Sequence, residues 1–250
     1  WIMTVTTANH HMIAYGSGQV REDALEAIMA GQMEKVDLPG APFAVIDVAR
    51  AEPVRLHSIA HPFTLPPSAA DMRHADAQLS FLETHLAKLC GGWWKPGQRF
   101  IADYFSALRQ KVSEHRDTLA ERASAMAGLI EEEHWAFSAP MPFPRALVRP
   151  AGDGPLRAED FTAADFAFYT RDGLVAAWID TGRSIMPSAK RARARLLDAG
   201  VICRDIRLPP AGKAPEKLLE ELGADFVHFA TSEPLPRTPF RGRPIGNPVI

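Results

Sequence analysis

Cysteine is almost absent. Cys90 and Cys203 are the two in 250 residues, far apart and in no metal-ligand spacing. That excludes a disulfide framework and a cysteine-based zinc site, predicts two buried free thiols, and leads us to expect a reducing, cytoplasmic setting. Long apolar runs are missing too. No window reaches the ~18 uninterrupted apolar residues of a membrane span, so no membrane partner is expected. The opening residues WIMTVTTANHH carry neither the basic n-region nor the apolar h-region of a secretory signal, and none is expected. Charge of one sign is lacking as well: 28 Lys and Arg against 30 Asp and Glu leave a net charge of −2. The chain as a whole therefore has no electrostatic pull toward polyanions. There is no internal repeat, no low-complexity run and no G-x-S-x-G elbow, and neither cysteine has a readable histidine partner for nucleophilic catalysis.

What is present is the composition of a globular protein, 46% hydrophobic and 23% charged. The patterning predicts a mixed α/β fold. HMIAYG (11–16) reads as a strand and 21–33 as a helix, with Leu25, Ile28, Met29 and Met33 at helical spacing. PFAVIDVA (42–49) and PVRLHSIAHPF (53–63) read as paired strands. Ser68 is a candidate N-cap for a helix carrying Ala75, Leu79, Leu82, Leu86 and Leu89, ended by Gly91 and Gly92. A second helix follows Pro96, with Phe100, Ile101, Tyr104, Phe105, Leu108 and Val112 on one face, and a third runs from about Asp117 to Glu133. These apolar stripes are packing faces. Pro140, Pro142 and Pro144 suggest a boundary. The expected organisation is an α/β section with a helical middle over 1–139, a second α/β section over 140–233, and a Pro/Arg-rich tail over 234–250.

The second section carries the chemistry worth weighing. RALVRP (145–150) is a strand candidate. DFAFYTRDGLVAAWIDTG (165–182) is a hairpin turning at TRDG, with Asp165 and Asp180 at its open end. Two carboxylates at one end of a hairpin are a minimal oxygen set for a hard cation. SAKRARARLLDA (188–199) is a helix with Ala189, Ala192, Leu196 and Ala199 on one arc. Lys190, Arg191, Arg193 and Arg195 lie on the other, free to meet phosphates. VICRDIRL (201–208) is a returning strand, KAPEKLLEELG (213–223) a short helix.

An aspartate at a strand start, a turn, a strand ending in acid, a basic helix and a strand beginning Gly-Val together resemble the core of PD-(D/E)xK nucleases. The nearest branch is the compact one similar to very-short-patch-repair endonucleases. The resemblance covers about residues 145–208. It implies a restriction-endonuclease-like α/β core. It also implies Mg²⁺ or Mn²⁺ held by Asp165 and Asp180, with Lys190 or Arg183 steadying phosphoryl charge. Asp165 matches the first Asp of the motif and Asp180 its last position. Trp178 stands where the middle acid belongs, and an indole binds no Mg²⁺. The expectation is therefore a nucleic-acid-associated protein whose nuclease-like site is catalytically reduced. Lys190, Arg191, Arg193 and Arg195, with Arg204, Arg207 and the tail, would contact DNA or RNA.

Two other readings stay open. The near-neutral charge, the missing acid and the tail suit a non-catalytic accessory or assembly protein with a protein partner. Gly16-Ser17-Gly18, between a strand and a helix, has the layout of a phosphate cradle for a small-ligand enzyme. Ser17 or Asp23 as an N-cap explains the same residues without a ligand. Among the histidines, His57 and His61 at i, i+4 lie in strand-like surroundings and would be too far apart to share a metal ion. His10-His11 could chelate a metal weakly but lies near an end expected to fray, while His74 and His85 are expected to be solvated, as is the charge run Glu131-Glu132-Glu133-His134.

Overall fold

The structure is a computed structural model. It describes residues 9–31, 42–49, 52–58, 74–124, 131–181, 187–208, 210, 215 and 217–232. The fold is mixed α/β. In chain order the elements are β1 (His10–Ala14), α1 (Gln19–Met29), β2 (Phe43–Asp47), α2 (Ala75–Leu89), α3 (Lys95–Glu114) and α4 (Arg116–Ser124). Then come β3 (Phe143–Pro144), β4 (Leu147–Arg149), β5 (Thr162–Ala163), β6 (Phe166–Thr170), β7 (Gly173–Asp180), α5 (Pro187–Asp198) and β8 (Ile202–Arg207). Three short helices close the described chain, α6 (Leu218–Leu222), α7 (Ala224–Val227) and α8 (Phe229–Ser232). No helix among the described residues is long and apolar enough to cross a membrane.

The strands form two four-stranded sheets, ordered β2-β1-β4-β5 and β3-β6-β7-β8. In the second sheet β6 runs antiparallel to both β3 and β7, and β8 returns parallel to β7 after α5. The expected hairpin is there: Phe166 faces Ala177 and Thr170 faces Gly173. Gly173 takes φ 111° at the turn, which a side chain would resist.

The helical stripes bury as periodicity predicts. Phe100, Ile101, Tyr104, Phe105 and Leu108 of α3 are fully buried. Their ring surface meets alternate residues of β6: the Phe100 centroid lies 4.2 Å from Phe166, and Tyr104 lies 6.2 Å from Phe168. One cluster of buried side chains runs from Ile13 to Ala230 and takes in α2, α3, both sheets and α6. A smaller one lies between α1 and β1, around Met12, Ile28 and Phe43.

Several sequence expectations change. The sheets do not divide at 140, because β4 and β5 belong to the sheet of β1 while β3 and β6 belong to the other. Residues 53–58 form no strand beside 42–49. Arg55 makes one bridge to Pro140 and Leu56–Ser58 is a 3-10 turn, while β2 pairs with β1. Of the helix expected over 117–133, Arg116–Ser124 is α4, residues 125–130 lie outside the described residues, and Glu132–Ser138 is a 3-10 segment. Within 213–223 the helix spans Leu218–Leu222.

The Glu131 charge run is structural. Glu131 Oε2 accepts the Ala75 N–H at 2.9 Å, its Oε1 lies 2.9 Å from His74 Nδ1, and His134 is buried. A carboxylate from a distant segment thus satisfies an orphan donor at the start of α2. Ser68 and His61 lie outside the described residues. His57 Nδ1 sits 3.1 Å from the Phe137 carbonyl oxygen. His85 is half-buried, and burial with the nearby Lys88 charge pulls its pKa down to about 4.

Both thiols are free and buried, with burial pushing Cys90 up to about 12. At the tip of the β6–β7 hairpin, Asp225 of α7 holds three elements together. It accepts from Arg55 at 2.9 Å and from the Arg171 backbone N–H at 3.2 Å, with both side chains of the Arg55 pair about 5% exposed or less.

Candidate functional site

The opposite, open end of the hairpin is where the chain changes sheets, twice at one level. Arg145 and Ala146 join β3 to β4, and Ala164 and Asp165 join β5 to β6. The crossings are stitched together: the Arg145 N–H donates to the Asp165 carbonyl at 2.7 Å and the Ala164 N–H to the Ala146 carbonyl at 2.9 Å. Arg145 has φ 51°, the one non-glycine among the described residues in the left-handed region. Such conformations cost of order 1–3 kcal/mol and persist where surrounding structure imposes them. Here the double crossing imposes it.

Around this bend lies a cleft of about 280 Å³ lined by Arg21, Arg145, Ala163, Ala164, Asp165, Trp178, Ala189 and Ala192. Each lining group has a structural reason. Asp165 precedes Phe166, so it sits opposite Trp178 in the β6–β7 register, on the face turned away from α3. Its Oδ2 accepts the Ile179 N–H at 2.9 Å. Burial raises its pKa, against the opposing pull of that N–H and of the nearby Arg145 charge. Ala189 and Ala192 are the small residues by which α5 approaches the sheet, as its helical wheel predicts. Arg21 comes from the first turns of α1, with its Nη1 at 3.4 Å from the Arg145 carbonyl oxygen. Its guanidinium is pushed down from its ordinary value by burial and by the Arg145 charge beside it.

Neither arginine forms an ion pair among the described residues, and Nε of each is buried without a hydrogen-bond partner. Arg145 lies against two indoles, with its guanidinium carbon 4.5 Å from the Trp93 ring centroid and 5.4 Å from that of Trp94. Two half-buried cations side by side repel one another, and an anion between them relieves that repulsion.

The Gly16-Ser17-Gly18 loop lies at this corner, but its glycine is used for packing. The Gly16 N–H donates to the Pro144 carbonyl at 2.8 Å. Ser17 sits against Gly91, where any Cβ would fall 2.8 Å from its Oγ. Gly18, not Ser17 or Asp23, occupies the N-cap of α1, and no side chain caps it.

The cations of α5 divide. Lys190, Arg191 and Arg195 are exposed and make no ion pair among the described residues. Arg193 instead turns to the sheet, pairing with Asp205 of β8 and lying 6.0 Å over the Trp178 ring. Arg207 pairs with Asp180 at 3.3 Å and Arg204 is exposed. Arg183 and the tail over 234–250 lie outside the described residues.

The Mg²⁺ or Mn²⁺ that the nuclease resemblance implies does not fit these groups. Asp180 lies two residues, about 7 Å, further out along β7 than the level of Asp165. It faces Arg207, and Trp178 fills the position between the two acids. Asp165 is engaged by a backbone donor beside a guanidinium, an environment for an anion rather than a dication. No cluster of three or more metal-ligating side chains occurs among the described residues. Calorimetric titration of Mn²⁺ is accordingly expected to show no saturable heat. Saturable binding abolished by Asp165→Ala would overturn that expectation.

Compared with models of protein families, with curated proteins and with solved structures, the chain matches none. Sequence reasoning found Asp165, Trp178 and α5 but missed Arg21, Arg145 and Trp93. Arg21 and Arg145 are 124 positions apart and nothing in their local spacing joins them.

Proposed function

We propose that this chain is a nucleic-acid-associated protein whose nuclease-like core holds a backbone phosphate without cutting it. The single observation that carries the reading is the Arg21–Arg145 pair, two half-buried arginines lining one cleft, each with a buried Nε that has no hydrogen-bond partner and neither in an ion pair among the described residues. Arginine's planar fork suits phosphate oxygens. The exposed Lys190, Arg191 and Arg195 on α5 would extend the positive surface along the same side.

Support of a second kind comes from topology. The order β6, turn, β7, crossover helix α5 and parallel β8 is the order of elements on which the PD-(D/E)xK resemblance rests. With Trp178 between the acids, the core would bind rather than hydrolyse.

The test is equilibrium binding of labelled oligonucleotides across a salt series. Affinity should fall steeply with salt, with a slope in log–log terms of roughly −2 to −4 for a few phosphates neutralised. No binding at low salt would defeat the proposal and turn attention to a protein partner, found as a stoichiometric companion that survives nuclease treatment.

A further inference from the structure

Trp93 is 71% exposed, the most exposed large hydrophobic side chain among the described residues. It sits in the two-glycine connection between α2 and α3, and the Arg145 guanidinium covers its ring at 4.5 Å. Trp94, its neighbour, turns inward and stacks on Phe166 at 5.4 Å. The two adjacent indoles therefore have different roles: Trp94 closes the core and Trp93 stands beside the cleft in solvent.

A flat π-surface within reach of a phosphate-binding arginine is the pairing that proteins use for unpaired bases. The backbone is gripped electrostatically while the base stacks. A duplex keeps its bases stacked on one another and cannot offer one to Trp93 without unpairing.

We propose that the cleft takes single-stranded nucleic acid, with one unpaired base stacked on Trp93 while the adjoining phosphate meets Arg145 and Arg21. This rests on the phosphate-binding reading above and deepens it. Trp93 contributes base stacking, Arg145 holds the phosphate and steadies the indole, and Asp165 takes no part in the contact.

The experiment measures binding of a short oligothymidylate, the matching oligouridylate and a duplex of equal length. The proteins are wild type, Trp93→Ala, Trp93→Phe and Arg145→Asn, each checked for an unchanged thermal melt. Wild type should bind both single strands more tightly than the duplex. Trp93→Ala should lose roughly 5- to 100-fold for the single strands and little for the duplex. Trp93→Phe should recover most of that loss, and Arg145→Asn should weaken all three ligands. Equal affinity for the two single strands supports recognition of base face and phosphate alone, and a preference supports a further contact with the sugar or with the thymine methyl group.

Four results would overturn the inference. A duplex bound at least as tightly as the single strands is one. Trp93→Ala binding like wild type while Arg145→Asn is weak removes the stacking role and leaves the phosphate reading standing. Equal losses for duplex and single strands in Trp93→Ala would mean that Trp93 only positions Arg145. Arg145→Asn binding like wild type would remove the phosphate reading and the stacking proposal with it.

Discussion

Asp225→Ala should lower the stability of the protein by about 3–5 kcal/mol, because it removes the carboxylate of a buried ion pair that also accepts a backbone N–H. Arg55 is 3% exposed and Asp225 8%, so water cannot replace the missing carboxylate. The same carboxylate accepts from the backbone N–H of Arg171 at the hairpin turn. The variant therefore frees the tip of β6–β7 as well as the segment before Leu56. Thermal melting would read this as a drop of roughly 6–20 °C for a chain of this size. Glu159→Ala is the comparison, since it removes half of an exposed pair with Arg157 at 3.6 Å. It should change stability by less than about 1 kcal/mol. A loss for Asp225→Ala as small as that of Glu159→Ala would mean that the pair is solvated after all.

Arg145→Asn is expected to weaken oligonucleotide binding by roughly 10- to 100-fold, as removal of a charge-assisted hydrogen bond worth about 1.5–3 kcal/mol should. Asparagine is the informative replacement because it tolerates the left-handed backbone at this position. The backbone N–H of residue 145 can then still reach the Asp165 carbonyl, as it does at 2.7 Å. Arg21→Ala should cost less, and the double variant should cost less than the two losses combined if both arginines grip one phosphate. The salt slope should shrink by about 0.7 for each phosphate of a single strand that is no longer neutralised. Arg116→Ala, on α4 beside Glu133, should leave binding unchanged. An Arg145→Asn variant that binds as wild type does would end the proposal that this cleft holds phosphate.

Local signals carried much of the fold. The β6–β7 hairpin was legible because alternating apolar residues and a TRDG turn act within a few residues of one another. The same holds for the stripe of α3, and for α5 followed by β8. Long-range pairing was not legible. Nothing in HMIAYG announces that it will lie between PFAVIDVA and RALVRP, or that the chain will switch sheets at Arg145. Glu131 looked like the start of a solvated charge run because its partner, the N–H of Ala75, is 56 residues away. Arg193 looked solvent-facing on a helical wheel, which shows the arc but not that Asp205 of β8 stands within reach. For the candidate site, Asp165 and Trp178 could be placed opposite each other by register alone. The arginines that give the cleft its charge come from α1 and from a strained turn, and only tertiary structure joins them.

Among the described residues, the strand order leaves β8 at the margin of its sheet. An uncovered margin is a template on which another chain can add a strand and begin to aggregate. This margin is guarded in two ways. Arg204, Asp205 and Arg207 are exposed, so a neighbouring strand would have to bury charge. At the far end, the Arg207 N–H is already taken by Oε2 of Glu221 on α6, at 3.2 Å. Glu221 thus does for the sheet what a stop does for a zipper: it holds the last tooth and keeps a second molecule from continuing the ladder.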